Sequence, residues 1–389
     1  MHKGTIIYVG GFNLPDGNAA AHRVISNAKI FRKIGYNVVF LGVTHHNLDF
    51  ETSKTNHLGF ESYSIPYPKT IKSWFRYLTD IDEIRELLHR YQDTKFVIAY
   101  NTPSVFLSRL NNLCQNKNIR VISDCTEWYS AKGYGIFAKT IKNLDSFYRM
   151  RYIHKKLDGL IVISSYLKDY YQKHVNLIQL PPLIDLDDSK WEKKSKNDMN
   201  GKIKFVYSGY PAKSKDKLDT IIEMFSRLES TNYILNIVGL TAEEYVDIFP
   251  SHRHRQCLSK LSQNIVFSGR LNHLESLEVL KDSDFSIFFR DNQKSNKAGF
   301  PTKFVESITS GVPVITNLTS DLEQYLIEGV NGFTLDEISM ELNTKKINTV
   351  IKMPYEVIEK MKFNALSTKL FDYRNHIDTV ENFINGYYI

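Results

Sequence analysis

Short apolar runs alternate with segments of helical spacing through the first half of the chain. Five runs are typical of buried strands: TIIYVGG (5–11), YNVVFLGV (36–43), KFVIAYN (95–101), RVISDC (120–125) and GLIVIS (159–164). After the first run, apolar side chains recur at helical spacing, at Ala21, Val24, Ile25, Ala28 and Phe31. Gly35 follows as the expected C-cap of this helix. Strands that alternate with helices predict a parallel sheet with both faces covered.

The alternation stops between Pro181 and Lys202, where proline, glycine and charged residues are typical of a linker. The DLDD stretch in it resembles an acidic metal motif, but we interpret it as solvated linker. The pattern then resumes with five strand-like runs: IKFVYSGY, YILNIVGL, NIVFSGR, DFSIFF and VPVIT. Helical segments lie among them: KLDTIIEMFSRL, NHLESLEVLKDS and TKFVESITSG. The tail from Met361 onward also has a helical pattern.

These patterns predict an α/β protein with two tandem Rossmann-like, doubly wound domains. We place the first domain at residues 1–183, the linker at 184–202 and the second domain at 203–369. A C-terminal helix over about residues 370–389 is expected to pack back on the first domain. Such sheets bind ligands at the carboxyl ends of their strands, and we expect the two edges to face each other across a cleft.

Length and composition fit this architecture. The 389 residues suit two domains, and 42% hydrophobic with 24% charged residues is ordinary for a soluble protein. Tyr and Phe, 23 of each, are abundant, as on surfaces that pack against sugars. The net charge of +7 comes from scattered lysines without an arginine-rich tract, so it suits anionic substrates or an anionic membrane rather than nucleic acid.

The three cysteines are Cys114, Cys125 and Cys257, which are isolated and suggest neither a zinc site nor a disulfide framework. No apolar run approaches the roughly 20 residues that a membrane span requires. We therefore expect a cytoplasmic protein.

Two glycine-containing turns follow strands and carry candidate chemistry. Gly10 and Gly11 let the backbone turn sharply and let a ligand approach, although a tight strand–helix turn explains them equally well. In YSGYPAKSKDKLDTII, Gly209 ends a strand, and Lys215 precedes a helix in a basic loop. A lysine there can neutralise a phosphate leaving group, although surface lysines are common.

The stretch NKAGFPTKFVESITSGVPVIT (296–316) offers a third candidate. Pro301 suits the first turn of a helix, which would leave the amides of Thr302 and Lys303 unpaired and available to a diphosphate. Glu306, one turn later, would lie on the same face and can accept hydrogen bonds from ribose hydroxyls. The alternative is an exposed ion pair between Lys303 and Glu306, which contributes only tenths of a kcal/mol.

Taken together, these segments resemble the donor-binding domain of the family 4 glycosyltransferases, which are retaining enzymes of the GT-B fold. The similar segments between Lys204 and Asp336 are FVYSGYPAKSKDKLDTII, NIVFSGRLNHLESLEVLKDSDFSIFF, GFPTKFVESITSGVPVIT and EGVNGFTL. Further similar segments are GGFNLPDGNAAAHRVISNAKIFRKIGYNVVFLG, KKLDGLIVISSYLKD and IQLPPLID, so the resemblance covers most of the chain.

The resemblance implies a role for each matching position. Lys215 corresponds to the lysine on the donor diphosphate, and Glu306 to the second glutamate of the E-x7-E motif, which holds the ribose. The backbone turn around the phosphates and sugar corresponds to Gly299, Phe300, Pro301, Thr302 and Lys303. Arg270 and Leu271 correspond to positions at the base, Gly209 to the strand-end glycine, and Gly11 to the N-terminal glycine loop near the diphosphate.

Three positions depart from the family pattern. The first glutamate of E-x7-E is Ala298 here, and the arginine after the strand-end glycine is Tyr210. The phosphate charge must therefore be met by lysines or by Arg290. The acceptor-side histidine is Thr126, in SDCTEWY, and Asp124 and Glu127 remain nearby as groups that could orient an acceptor.

The resemblance implies that a sugar is transferred, with retention, from a nucleotide diphosphate donor to a hydroxyl of a glycan or lipid-linked acceptor. Family analogy suggests surface polysaccharide assembly, with peripheral contact at the inner face of an anionic membrane. No cofactor or metal is expected, because no convincing DxD motif is present. Two alternatives stay open: a nucleotide-sugar epimerase, which would release epimerised product without an acceptor, and a non-catalytic partner subunit of another transferase.

Overall fold

Two sheets of mostly parallel strands organise the chain, one in each of two units. The structure is a computed structural model and describes residues 2–46, 48–129, 135–192, 201–211 and 216–387. The first unit comprises Met1–Asp185, Ala298–Phe300 and Phe371–Ile389, and the second Leu186–Lys297 and Pro301–Leu370. The predicted α/β class with two doubly wound sheets is confirmed.

The first sheet has eight strands, in the order β3-β4-β2-β1-β5-β6-β7-β8. They are β1 (Gly4–Gly10), β2 (Tyr36–Thr44), β3 (Thr55–His57), β4 (Phe60–Pro66), β5 (Thr94–Tyr100), β6 (Arg120–Cys125), β7 (Gly159–Val162) and β8 (Leu177–Gln179). The accompanying helices are α1 (Ala19–Lys33), α2 (Ile71–Thr79), α3 (Asp82–Arg90), α4 (Ser104–Gln115), α5 (Ile136–Tyr148) and α6 (Ser165–Tyr171). Only β3 pairs antiparallel, with β4, among the pairings described.

The second sheet has the order β11-β10-β9-β12-β13-β14. Its strands are β9 (Ile203–Ser208), β10 (Tyr233–Val238), β11 (Ile265–Phe267), β12 (Phe285–Ile287), β13 (Val314–Thr316) and β14 (Gly332–Thr334). The helices are α7 (Leu218–Ser226), α8 (Ala242–Ile248), α9 (His252–Lys260), α10 (His273–Lys281), α11 (Lys294–Ala298), α12 (Thr302–Thr309), α13 (Met340–Ile351) and α14 (Tyr355–Ser367). This is the 3-2-1-4-5-6 order of dinucleotide-binding sheets, whose ligand crevice lies where the strand order reverses, between β9 and β12.

The C-terminal segment returns to the first unit. The tail from Met361 onward is not one helix, as its pattern predicted, because α14 ends at Ser367 and the last helix, α15 (Ile377–Asn385), begins ten residues later. Between them, Ile184 donates its amide to the carbonyl of Phe371 at 2.9 Å. Val380, Phe383 and Ile384 of α15 are buried in the core around Tyr8 and Phe40, among other residues of the first sheet and α1. Hydrophobic burial therefore holds the end of the chain on the first unit.

The buried side chain of His154 makes the stability of the first unit depend on pH. The ring of His154 lies 3.2 Å from the Ser123 hydroxyl (Nε2–Oγ) and 3.0 Å from the Tyr171 hydroxyl (Nδ1–Oη). Burial, aided by the positive charge of Arg149, lowers the pKa of His154 well below its usual value. The unfolded chain therefore takes up a proton below about pH 6.5 that the folded chain does not, so stability falls as the pH drops.

His154→Gln is expected to reduce this loss by up to about 1.4 kcal/mol per pH unit between roughly pH 6.5 and 5. Urea unfolding at several pH values measures the slope, and His252→Gln on the exposed start of α9 serves as the control. Equal slopes for the wild type and His154→Gln would contradict the prediction.

None of the helices in the described ranges is long and apolar enough to cross a membrane.

Candidate functional site

Glycines at the carboxyl edge of the second sheet make room for a lysine. Gly209, Gly239 and Gly269 follow β9, β10 and β11 with φ of 126°, 118° and 64°. The Gly209 amide donates to the Val238 carbonyl at 2.8 Å, which holds the turn against its neighbour. A Cβ on Gly209 would lie 2.8 Å from Cε and 2.9 Å from Nζ of Lys303. Only glycine suits both this backbone conformation and the close approach of Lys303.

A buried carboxylate, Asp216, holds two cations at the same edge. Its Oδ1 accepts from Nε of Arg290 at 3.0 Å, and its Oδ2 accepts from Nζ of Lys303. The Tyr207 hydroxyl donates to Oδ2 at 3.2 Å, and the Lys303 ammonium lies 4.0 Å from the centre of the Tyr207 ring. Asn317, after β13, clamps the Arg290 backbone, with its Oδ1 2.9 Å from the amide and its Nδ2 2.8 Å from the carbonyl. One carboxylate with two cations leaves a net positive charge between β9 and β12.

The charges in this cluster are coupled. Burial alone would raise the pKa of Asp216, but the positive charges of Lys303 and Arg290 outweigh it and hold that pKa well below the usual range. Burial lowers the pKa of Lys303, and the nearby Asp216 carboxylate opposes this shift. Asp216 is therefore an ionised anchor at neutral pH that sets the positions of both cations.

Helix α12 begins beside this cluster without a side-chain cap. Pro301 is its N-cap residue, rather than part of the first turn, and Thr302 and Lys303 are its first two residues. The free amides and the dipole of a helix N-terminus favour an anion. One turn on, Oε1 of Glu306 lies 3.4 Å from Nε2 of His273. The Lys303 ammonium thus pairs with Asp216, which disfavours the alternative of an isolated, exposed ion pair between Lys303 and Glu306.

The turn before α12 clusters with the first unit. The Ser164 hydroxyl donates to the Ala298 carbonyl at 2.8 Å. The Phe300 ring packs at 65° to that of Phe371, with their centres 6.0 Å apart. Ala298 and Phe300 are buried, and Gly299 between them is half-buried. Ala298, which the resemblance aligned with a sugar-contacting glutamate, is thus enclosed by protein.

Two of the remaining donor-side candidates meet at the ends of β9 and β11. The Arg270 guanidinium lies 5.4 Å from the centre of the Tyr210 ring and 3.2 Å from Oε1 of Glu244, and both Arg270 and Tyr210 are exposed. Leu271 follows, half-buried. An exposed aromatic ring beside a guanidinium can stack on a planar base. Lys215, together with Lys213, lies outside the described residues.

On the first unit, Asp124 serves a different purpose from the one its sequence context suggested. Its fully buried carboxylate accepts from Nη2 of Arg23 at 2.8 Å and from the Tyr8 hydroxyl at 2.6 Å. The Asn27 amide approaches it at 3.3 Å. Because these donors occupy a carboxylate with no exposed surface, the geometry disfavours an acceptor-orienting role for Asp124 and indicates a structural one.

The other candidates of the first unit, Gly11, Thr126 and Glu127, lie at the carboxyl ends of β1 and β6. Asn101 donates its Nδ2 to the Thr126 hydroxyl at 2.6 Å and accepts the Thr126 amide at 3.1 Å, which buries Thr126. Glu127 is half-buried. Gly11 is also half-buried, and a Cβ added to it would lie 3.2 Å from the Tyr77 hydroxyl. Among Asp124, Thr126 and Glu127, Glu127 is the one that is not fully buried.

Sequence reasoning missed the groups that organise the donor-side cluster, namely Asp216, Tyr207 and Asn317. The one available signal was a lone aspartate in the lysine-rich loop KSKDK, since an acid among lysines is a candidate anchor for them.

Comparisons with known proteins agree with this architecture. Residues 189–367 match the family described as Glycosyl transferases group 1. The fold is similar to that of sucrose-phosphate synthase from Thermosynechococcus elongatus, with a TM-score of 0.73, 13% identity and 99% of each chain covered. It is also similar to Anabaena HepE in complex with UDP-glucose, with a TM-score of 0.68, 14% identity and coverage of 98% of this chain and 100% of that one.

A third similar structure is the pneumococcal O-GlcNAc transferase GtfA in complex with UDP and GlcNAc, with a TM-score of 0.64, 11% identity and 99% of each chain covered. A search of curated proteins by sequence found no match. The protein therefore has the GT-B fold, and the match to glycosyl transferases group 1 lies in residues 189–367.

Proposed function

We propose that this glycosyltransferase moves a hexose from a nucleoside diphosphate donor, such as a UDP-sugar, to an acceptor hydroxyl with retention. One observation carries the proposal: the Asp216-anchored cations, the uncapped start of α12 and the Glu306 carboxylate all lie at one edge of the second unit. That edge is where doubly wound sheets bind nucleotides. Structures of HepE and GtfA, which share the fold, contain UDP together with a sugar or as a UDP-sugar.

Each group has a proposed role toward the donor. The amides of Thr302 and Lys303, together with the positive charge on Arg290 and Lys303, would hold the diphosphate. Glu306 would accept hydrogen bonds from the ribose hydroxyls, and the Tyr210 and Arg270 side chains would bracket the base. By the family resemblance, Lys215 is proposed to neutralise charge on the diphosphate. Each role matches the chemistry of the group with the part of the donor it would contact.

The proposed reaction breaks the bond between the anomeric carbon and the β-phosphate oxygen and forms a bond from that carbon to the acceptor oxygen on the same face. The electron pair of the broken bond stays on the β-phosphate, which takes the acceptor proton as it leaves. Preorganised amides and cations aimed at this growing negative charge lower the barrier more than they stabilise the ground state. A separate base on the protein is then not required, which suits the presence of Thr126 at the acceptor-side position.

The acceptor is proposed to be a glycan or a lipid-linked intermediate of surface polysaccharide assembly, reached at a membrane face. Glu127 is the group we propose to orient its hydroxyl. No metal ion is part of the proposed reaction, so EDTA is expected to leave the rate unchanged.

A thermal-shift screen of nucleotide sugars, followed by product analysis, tests the function. A true donor at about 100 times its Kd should stabilise the protein by roughly 2.7 kcal/mol. Transfer to an acceptor with the anomeric configuration kept supports the proposal. Free epimerised sugar nucleotide would indicate an epimerase, and donor binding without turnover across an acceptor mixture would indicate a non-catalytic subunit.

Glu306→Ala is expected to weaken donor binding by about 1–3 kcal/mol, because a charge-assisted pair of hydrogen bonds to ribose is lost. Isothermal calorimetry measures the affinity, and Glu323→Ala, at an exposed glutamate of the same unit, is the matched control. Unchanged affinity in Glu306→Ala would remove Glu306 from the donor site.

A further inference from the structure

We propose that one face of the first unit docks on an anionic phospholipid surface. This docking face consists of exposed apolar side chains of three helices: Ile71, Trp74 and Phe75 of α2, Val105 of α4, and Ile136, Ile141, Leu144 and Tyr148 of α5. The inference deepens the proposed function, and it rests on that function only where it connects docking with a lipid-linked acceptor.

The three helices lie side by side. Helix α4 contacts both α2 and α5. The Arg109 guanidinium of α4 donates to the carbonyl of Thr79 at the end of α2 at 2.6 Å. At the start of α4, the amide of Ser104 donates to Oδ1 of Asp145 in α5 at 2.6 Å. The exposed side chains of the three helices therefore belong to one region of the surface.

The apolar exposure of this region is unusually high. Ile71 is 91% exposed, Phe75 70% and Ile136 87%. Helix α2 has no buried residue, yet its N-terminus is firmly closed by a capping box between Thr70 and Ser73. A well-formed helix that leaves its apolar side chains in solvent is typical of a surface that binds a membrane or another partner.

The charged residues on these helices indicate which kind of partner binds the docking face. Helix α2 carries Lys72 and Arg76 and no acidic residue, although Arg76 pairs with Asp80 and Glu83 beyond the end of that helix. Helix α5 adds Lys139 and Lys142, and its one carboxylate, Asp145, is turned to the α4 amide described above. Positive side chains among exposed apolar ones complement phospholipid phosphates and acyl chains together.

Aromatic rings complete the pattern. Trp74 packs edge-on against Tyr67 and Tyr77, with ring centres 5.7 and 5.9 Å apart. At the end of α5, Phe147 and Tyr148 lie with ring centres 6.1 Å apart, and the Arg151 guanidinium lies 4.6 Å from the Phe147 ring. Trp and Tyr favour the level of lipid headgroups, where one part of the ring is apolar and another is wet. Exposed isoleucines are not needed to bind a nucleic acid, and lysines are not needed to bind a purely apolar protein surface. The combination of both therefore favours a phospholipid surface.

Vesicle co-sedimentation tests the proposal with the full-length protein. Wild type is expected to bind vesicles of phosphatidylglycerol in phosphatidylcholine, to bind pure phosphatidylcholine more weakly, and to lose binding as salt is raised. Ile71→Asp and Phe75→Asp are each expected to lower the partition coefficient by about tenfold, because each removes one inserted apolar side chain.

Two control variants in the second unit match these exposures. Ile338 is 94% exposed and Phe363 is 71% exposed, so Ile338→Asp and Phe363→Asp make the same chemical change at equally accessible positions. Both are expected to bind vesicles as wild type does. Because all four side chains are exposed, folding is expected to survive in each variant, and circular dichroism checks this.

Three outcomes overturn the docking face: no wild-type binding to anionic vesicles, equal losses in the control variants, or a dimer that Ile71→Asp converts to monomers without any vesicle binding. The last outcome would make the face a contact between two copies. Calorimetry of the nucleotide sugars from the thermal-shift screen, on the same preparations, separates the two proposals. Donor binding without vesicle binding overturns only the docking face, and vesicle binding without donor binding overturns only the proposed function.

Discussion

Replacing Asp216 by alanine is expected to lower the free energy of unfolding of the second unit by about 3–5 kcal/mol. The carboxylate is buried between Arg290 and Lys303, whose side chains are themselves mostly buried. Its removal leaves two cations next to each other with little water to screen them. The Tyr207 hydroxyl also loses its acceptor, which adds the cost of an unpaired buried group.

Hydrogen exchange measured by mass spectrometry suits this test, because peptides from β9 and β12 report on the second unit alone. Asp282→Ala is the matched control: that carboxylate, also in the second unit, pairs with Lys204 at 3.0 Å but is largely exposed. Its loss is expected to cost less than about 1 kcal/mol. Similar protection in the two variants would show that the Asp216 cluster does not hold this unit together.

The stabilisation from Asp216 should also depend on pH in a defined direction. The pKa of this carboxyl is held below its unfolded value, so its contribution is complete above about pH 4 and is lost as the pH falls through the folded pKa. The difference between wild type and Asp216→Ala is therefore expected to shrink below roughly pH 4.

Asp124→Ala is expected to destabilise the first unit by about 3–5 kcal/mol, because it leaves the buried Arg23 guanidinium without its counter-charge. Of its hydrogen-bond partners among the described residues, Arg23 would retain the carbonyls of Leu180 and Pro181, which its Nη1 contacts at 3.1 and 3.2 Å. Neutral carbonyl oxygens cannot replace the lost charge interaction in a site this deeply buried.

The same variant distinguishes the two roles considered for Asp124. Exchange of β1 and β6 peptides measures the stability of the first unit, and Asp82→Ala, an exposed carboxylate paired with Arg85, is the control. A stable Asp124→Ala protein that binds the donor but no longer transfers the sugar would support a role of Asp124 in orienting the acceptor. Loss of protection in β1 and β6 would support its structural role.

Most strands were predictable because their apolar runs are local. The run at 120–125 coincides with β6, and the first run lies within one residue of β1 at each end. The hairpin of β3 and β4 was missed because Thr55–His57 carries no buried side chain to mark it. The non-helical segment between α14 and α15 was missed because residues 368–376 have a composition that is compatible with a helix. Their conformation is set instead by the packing of α14 on one side and of α15 on the other.

The sequence alone determined the α/β class and the two-sheet organisation, since hydrophobic periodicity and glycine turns act over a few residues. It also marked the GFPTKF turn and Glu306 as candidates for donor binding. Only the tertiary structure decided which charges meet: Lys303 finds Asp216, 87 positions away, and Arg23 finds Asp124, 101 positions away. The spacing of charged residues along the chain does not predict these partners. A buried charge requires an opposite charge because the interior has a low dielectric constant, and that partner can come from any part of the sequence.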